Sequence, residues 1–274
     1  MDPIKRSITT WLYRLVIESP RAHKLLIEIY WVSEAFHHRF PWFRRPELVE
    51  DAELQLLMKQ HFADEDNHAK YFRLAMNLKG ESLDPPPIEL DYLVQLAGAF
   101  WEEGILVGDS IEDLTGDRLF TDPQNLFVQL AFKDLSEKRA NAEFHIWRDL
   151  AKTRDPETYA VLKRVVEDED WHCHIFHQEV QKRLEDPVLG PRFQEVYKRL
   201  VKTASRVANR VGSNFLHHLL DHDLLDCSAR EKRLVRLVAN LQGFGAGVLS
   251  MDRAEQILGQ GVPLTGQSPT ASAS

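Results

Sequence analysis

Residues 64–72 read DEDNHAKYF, and residues 168–176 read DEDWHCHIF. The two stretches share Asp-Glu-Asp-x-His, each places Phe four residues after the His, and they begin 104 residues apart (168 − 64). On a helix, residues i and i+3 share a face. Glu65 and His68 therefore point the same way, as do Glu169 and His172. A carboxylate and an imidazole on one helical face can ligate one metal ion, and two such helices supply two of each. A two-metal carboxylate centre inside a helical bundle needs two further carboxylates, one from each of two other helices.

The remaining ligands are sought by register, because residues at equal height in a helical hairpin lie about equally far from its turn. Glu137 lies 32 residues before Glu169, which puts the midpoint at 153, beside the Thr153–Pro156 break. Glu34 lies 31 residues before Glu65, with a midpoint between 49 and 50, near the connector from Pro41 to Pro46. Glu28, inside the apolar run LLIEIYWV, competes with Glu34, and Glu143 competes with Glu137. His61, four residues before Glu65, and His37, three after Glu34, are alternates for a third imidazole. Asp64 and Asp168 precede the ligand glutamates and are candidates to hold the outer N–H of a metal-bound His. Asn141, one turn after Glu137, is a candidate polar neighbour of the site. Chance alone yields about one Glu-x-x-His in a chain of this composition. Three occur, at Glu34, Glu65 and Glu169, and two of them sit inside the matched stretches.

Nearly the whole chain has helical periodicity, with apolar residues three and four apart and breaks at Pro and Gly. The pattern predicts helices over 4–18, 21–40, 46–78, 88–114, 123–152, 156–186, 190–223 and 228–258. The prediction is therefore an all-α protein with a single helical domain over 1–258. A metal-binding bundle occupies about 21–186 and extra helices occupy 190–258, while the small, polar tail 259–274 is expected to be disordered. Pro46, Pro123, Pro156 and Pro191 sit where a first-turn proline is tolerated.

The 274 residues carry a net charge of −8, with 43% hydrophobic and 28% charged side chains. That balance is ordinary for a globular protein and makes nucleic acid an improbable partner. Two cysteines are too few for a disulfide framework. With no apolar window of membrane-spanning length and no cleavable leader pattern, no membrane partner is expected and the cytoplasm is the expected location. Lys198, Lys202, Arg206 and Arg210 recur every four residues, a basic stripe suited to docking an acidic partner or anionic substrate.

Glu34, Glu65-Asp66-Asn67-His68, Glu137 and Glu169-Asp170-Trp171-His172 resemble the ligand set of the ferritin-like di-iron carboxylate superfamily, over roughly residues 21–186. That resemblance implies a ferritin-like four-helix bundle with additional N- and C-terminal helices. It also implies two Fe ions, or a Mn/Fe pair, with O2 as cosubstrate. The activity it implies is that of a non-haem di-iron oxygenase. Such an enzyme hydroxylates, N-oxygenates, desaturates or cleaves a small or carrier-protein-bound substrate, and a reductase or ferredoxin supplies the electrons. A homodimer is common in the superfamily. The intervening segment 88–114 and the helices after 190 resemble the reductase and oxygenase branches more than ferritin. The position of the radical tyrosine in reductase small subunits is occupied here by Phe72, with Tyr71 rotated away, and the third His of the N-oxygenase group is replaced by Val165. The alternative reading is a ferritin- or rubrerythrin-like protein that oxidises or stores iron or removes peroxide. An oxygenase is expected to have an apolar cavity beside Glu34 and Glu137.

Overall fold

Aspartate and proline set the helix starts. A computed structural model describes residues 3–108 and 116–243. Its helices are α1 Pro3–Ile17, α2 Pro20–Glu34, α3 Phe36–Arg39, α4 Ala52–Leu78, α5 Tyr92–Glu102, α6 Arg118–Thr121, α7 Pro123–Arg154, α8 Pro156–Leu184, α9 Gly190–Asp221 and α10 Ala229–Gly243. No strand occurs among the described residues, and none of their helices is long and apolar enough to cross a membrane. Asp51, Asp91, Asp122 and Asp155 each accept a backbone N–H from the first turn of α4, α5, α7 and α8, satisfying donors that a helix leaves orphaned. Pro20, Pro123 and Pro156 open α2, α7 and α8, where the missing N–H costs nothing.

Three boundaries differ from the periodicity. The helix predicted over 21–40 breaks at Ala35 (φ −80°, ψ 8°), so Glu34 closes α2. Pro46 opens a short 3-10 turn, Pro46–Leu48, and α4 begins only at Ala52. Prolines 41 and 46 push Phe40 and Arg45 out of helical conformation, and Asp51 offers the first good cap. Over the described residues 88–108 the predicted helix 88–114 reduces to a 3-10 turn at Ile88–Leu90 and α5, which ends before Gly104 at φ 60°, and its part over 109–114 lies outside the described residues. The helix expected through 244–258 and the disordered tail expected after it lie outside the described residues.

α7 and α8 form an antiparallel hairpin linked by Asp155 alone; α4 packs on α8, and α2 on α4. α1 lies against α2 and α7, while α9 packs on α5, α7, α8 and α10. Two apolar clusters divide the interior. One holds Phe36, Phe62, Ala131 and Phe176; the other holds Tyr30, Phe72, Phe144 and Val165. Each of α4, α7 and α8 passes from one cluster to the other, and α2 with the adjoining α3 does the same. The crossing comes at Glu34, Glu65–His68, Glu137 and Glu169–His172. The candidate ligands therefore form one polar layer between two apolar ones.

The far end of the bundle is held by Asp155. Its carboxylate caps α8, takes Lys79 from α4, and faces His23 Nδ1 of α2 at 3.3 Å. Trp147 Nε1 donates to His23 Nε2 at 3.0 Å, so the proton of the neutral ring sits on Nδ1. Burial, with Lys79 adding to it, pushes the His23 pKa down to about 4. As pH falls from about 6.5 toward 4, the unfolded chain takes up a proton that the folded ring refuses, and stability declines. The contribution from this one group is up to about 3 kcal/mol. Urea midpoints measured from pH 7.5 to 4.5 should fall less steeply for His23→Gln than for the parent; equal slopes would remove His23 as the cause.

Candidate metal centre

Glu34, Glu65, Glu137, Glu169, His68 and His172 converge in the polar layer, and all six are buried. They form two overlapping groups, each with ligand-capable atoms within 4.8 Å of one another: Glu34, Glu65, His68 and Glu169 in one, and His61, Glu65, Glu137 and His172 in the other. Glu65 is common to both. Glu169 also spans them, with Oε1 3.3 Å from His68 Nδ1 and 3.7 Å from His172 Nδ1.

The repeated Asp has a reciprocal use. His68 Nε2 on α4 meets Asp168 Oδ2 on α8 at 3.1 Å, and His172 Nε2 on α8 meets Asp64 Oδ2 on α4 at 3.4 Å. Each copy of Asp-Glu-Asp-x-His thus orients the imidazole of the other, leaving both Nδ1 atoms facing the glutamates. The second Asp of each copy pins the helices elsewhere. Asp66 binds His37, His38 and Arg44, and Asp170 accepts from Asn141 Nδ2 at 2.8 Å.

Charge is unbalanced in this layer. Burial, with Glu34 and Glu137 close by, raises the Glu65 carboxyl well above its ordinary range, and burial with the Glu137 charge pushes Glu169 up to about 8. For Glu137 burial acts in the same upward direction, but the His61 hydrogen bond and charge outweigh it and hold the group low. Burial opposes charging of His172, yet the Asp64 carboxylate that its Nε2 meets and the nearby Glu169 and Glu137 carboxylates lift it to about 9; Asp168, Glu169 and Glu34 likewise raise His68. Glu65 Oε1, Glu169 Oε2 and His172 Nδ1 are buried without a hydrogen-bond partner. Such orphaned atoms are costly. Four carboxylates match the charge of two divalent cations, and the orphaned oxygens and nitrogen are the donor types that bind iron or manganese. The residue set fits a two-metal centre.

Among the alternates, His61 joins the cluster, 3.0 Å from Glu137 Oε1 and 3.2 Å from Glu65 Oε1. His37 is turned away onto Asp66 at 2.5 Å. The His37–His38–Asp66 trio has ligand spacing, but Arg44 already occupies its single carboxylate, which disfavours a cation there. Glu28 accepts from the Asp84 backbone at 3.0 Å and faces Lys24; six residues before Glu34, it is rotated well off the ligand face. Glu143 binds Tyr13, Tyr30 and Arg139 instead of the cluster. Asn141, drawn into the α7–α8 seam by Asp170 and Cys173, does not reach the site. The basic stripe is also incomplete as a surface. Lys198 and Lys202 are exposed, whereas Arg206 and Arg210 are half-buried and Arg206 pairs with Glu103.

Periodicity did not single out Lys133, whose Nζ lies 3.2 Å from His61 Nδ1. Burial lowers its pKa. While Lys133 is an ammonium it can only donate, so His61 carries its proton on Nε2 and donates to Glu137. The available signal was a lone Lys in LAFKDL, four residues before Glu137.

A cavity of about 310 Å³ opens onto Glu34, Glu65 and Glu137. Its walls come from α1 (Leu12, Val16), α2 (Leu26, Ile29), α7 (Arg139, Ala140) and α9 (Val211, Phe215). A second hollow of about 70 Å³ touches the same three glutamates and is walled by Phe36, Phe62, Phe100 and Phe132. Comparison with protein-family models, curated proteins and solved structures found no match to this chain.

Proposed function

We propose that this chain is a ferritin-like di-metal oxidoreductase that activates O2 against an organic substrate. The observation that carries this reading is the 310 Å³ cavity. It meets the buried glutamates on one side and carries apolar side chains of α1, α2 and α9 over much of its remaining wall, with Arg139, Glu143, Asn209 and Gln242 among them. A protein that only stores iron or consumes peroxide needs a small, solvent-open, polar site and no such chamber.

In this reading Glu34, Glu65, His68 and Glu169 hold one ion. Glu65, Glu137 and His172 hold the other, and His61 is either a seventh ligand or a hydrogen-bond donor to Glu137. Two ferrous ions, when bound, supply electrons to O2 for oxidation of the substrate. The chain's own part is positional. Asp64 and Asp168 fix which imidazole nitrogen faces inward. Phe62, Phe72, Phe144 and Phe176, all buried around the layer, keep bulk water away. Lys133 holds the proton of His61 on Nε2. Electrons for repeated turnover come from an external reductase or ferredoxin, because the sequence has no Gly-rich dinucleotide fingerprint and too few cysteines for an iron–sulfur cluster.

Anaerobic titration of the metal-free protein with Fe(II) should saturate near two equivalents per chain. His68→Ala and Glu65→Ala should each remove at least one of them. No uptake, or full content in both variants, would sink the ligand assignment. Uptake of many equivalents would put the storage reading first.

A further inference from the structure

The apolar walls of the large cavity carry one charged group with hydrogen-bonding capacity left over. Arg139 and Glu143, one helical turn apart on α7, both line the chamber. Glu143 already accepts three hydrogen bonds. Its Oε1 takes Arg139 Nε at 3.0 Å, and its Oε2 takes the hydroxyls of Tyr13 at 2.8 Å and of Tyr30. Arg139 is not saturated. Its guanidinium lies over the Tyr92 ring, 4.3 Å from the centroid, and Nη1 is buried without a hydrogen-bond partner. The stacking and the Nε bond fix the plane of the guanidinium, the Tyr92 hydroxyl takes a further contact, and Nη1 is left as the unfilled donor. A planar guanidinium prepositioned in this way presents that donor to a carboxylate. Leu12, Val16, Leu26, Ile29 and Phe215 line much of the chamber, beside Ser33, Asn209 and Gln242, and suit an apolar chain. The 310 Å³ volume equals about ten water volumes at ~30 Å³ each, enough for an acid of roughly ten non-hydrogen atoms.

We infer that the substrate of the proposed oxidation is a small amphiphilic carboxylic acid. Its carboxylate sits on Arg139, and its apolar chain is held in the chamber that faces Glu34, Glu65 and Glu137. The inference rests on the di-metal reading for its chemistry but not for its binding. Arg139 belongs to neither ligand group and takes the acid whether or not metal is present. An amine headgroup would instead compete for Glu143, whose oxygens already accept three hydrogen bonds.

The test uses octanoate, octanol and octylamine as probes on the full chain, both metal-free and loaded with Mn(II). Binding is read by calorimetry and by the shift of the thermal midpoint. Octanoate should bind, the alcohol and the amine should bind at least about tenfold more weakly, and Arg139→Gln should lose the octanoate response. Arg139→Lys, which keeps the ion pair with Glu143 and guards against simple misfolding, should weaken octanoate about tenfold by losing the fork. Unchanged octanoate binding in both variants, or octylamine binding that Glu143→Gln removes, would overturn the acid assignment. Two equivalents of iron with no octanoate binding would overturn it too while leaving the metal reading intact. Octanoate binding that depends on Arg139 in a chain that takes up no iron would uphold the acid site and remove the di-metal reading.

Discussion

Glu169→Gln should raise the thermal midpoint of the metal-free protein and abolish most of the midpoint gain produced by Mn(II) or Fe(II). Glu169 is 1% exposed. It lies among three other buried glutamates, its Oε2 has no hydrogen-bond partner, and the nearby Glu137 charge adds to burial in pushing its carboxyl up to about 8. Gln keeps the shape, is neutral without having to take up a proton, and can donate to Glu137. A gain of about 1–3 kcal/mol without metal is expected from removing a carboxyl that folding forces to take up a proton near neutral pH. With metal present the sign reverses. A ligand held at a hundred times its Kd stabilises by ~2.7 kcal/mol, and the variant forfeits that term by losing a carboxylate that faces both His68 and His172. Scanning calorimetry with and without Mn(II) reads both effects. A lower midpoint in the metal-free variant would mean that the layer is held by its own hydrogen bonds, with no cation required.

The largest loss of stability from a polar substitution is expected at Asp155. Its Oδ1 caps α8 through the Thr158 N–H at 3.1 Å, while Oδ2 takes the Thr158 hydroxyl at 2.8 Å, Lys79, and His23 at 3.3 Å. Asp155→Ala removes the cap, worth about 1 kcal/mol. It also strands a partly buried ammonium and a buried imidazole, for a total of about 3–5 kcal/mol. Asp155→Asn retains the cap geometry and should lose roughly half as much. Denaturant midpoints of the two variants give the comparison. A loss under about 1 kcal/mol for the Ala variant would assign the α7–α8 turn to Pro156 alone.

Much of the site was legible along the chain because helical geometry is local. Glu65–His68 and Glu169–His172 share a face by spacing alone. The α7–α8 link at Asp155 is close enough to the midpoint of Glu137 and Glu169 for register to find Glu137. Glu34 was reached with more luck, since the connector after it is not a simple turn: prolines 41 and 46 break it into short pieces before α4 starts at Ala52. The same method offered His61 and His37 as equals. Both are near a ligand in sequence, and only packing separates them. α3 carries His37 outward onto Asp66, while His61 remains on the α4 face one turn before Glu65. Asn141 failed for a comparable reason. Four residues carry it about 40° past Glu137, enough for the tight α7–α8 seam to claim it through Asp170.

Residue order alone specified the all-helical class, the repeated Asp-Glu-Asp-x-His and its two Glu-x-x-His pairs, and narrowed their partners to Glu34 or Glu28 and Glu137 or Glu143, because each follows from the 3.6-residue turn and from prolines and caps acting over a few positions. Tertiary packing decided what lies across from what. It crossed Asp64 to His172 and Asp168 to His68, set Lys133 on His61, consumed Arg206 on Glu103, and left a chamber with Arg139 on its wall. These pairings join residues as many as 108 positions apart. Their free energy depends on burial, and burial is a property of the assembled helices, not of any segment.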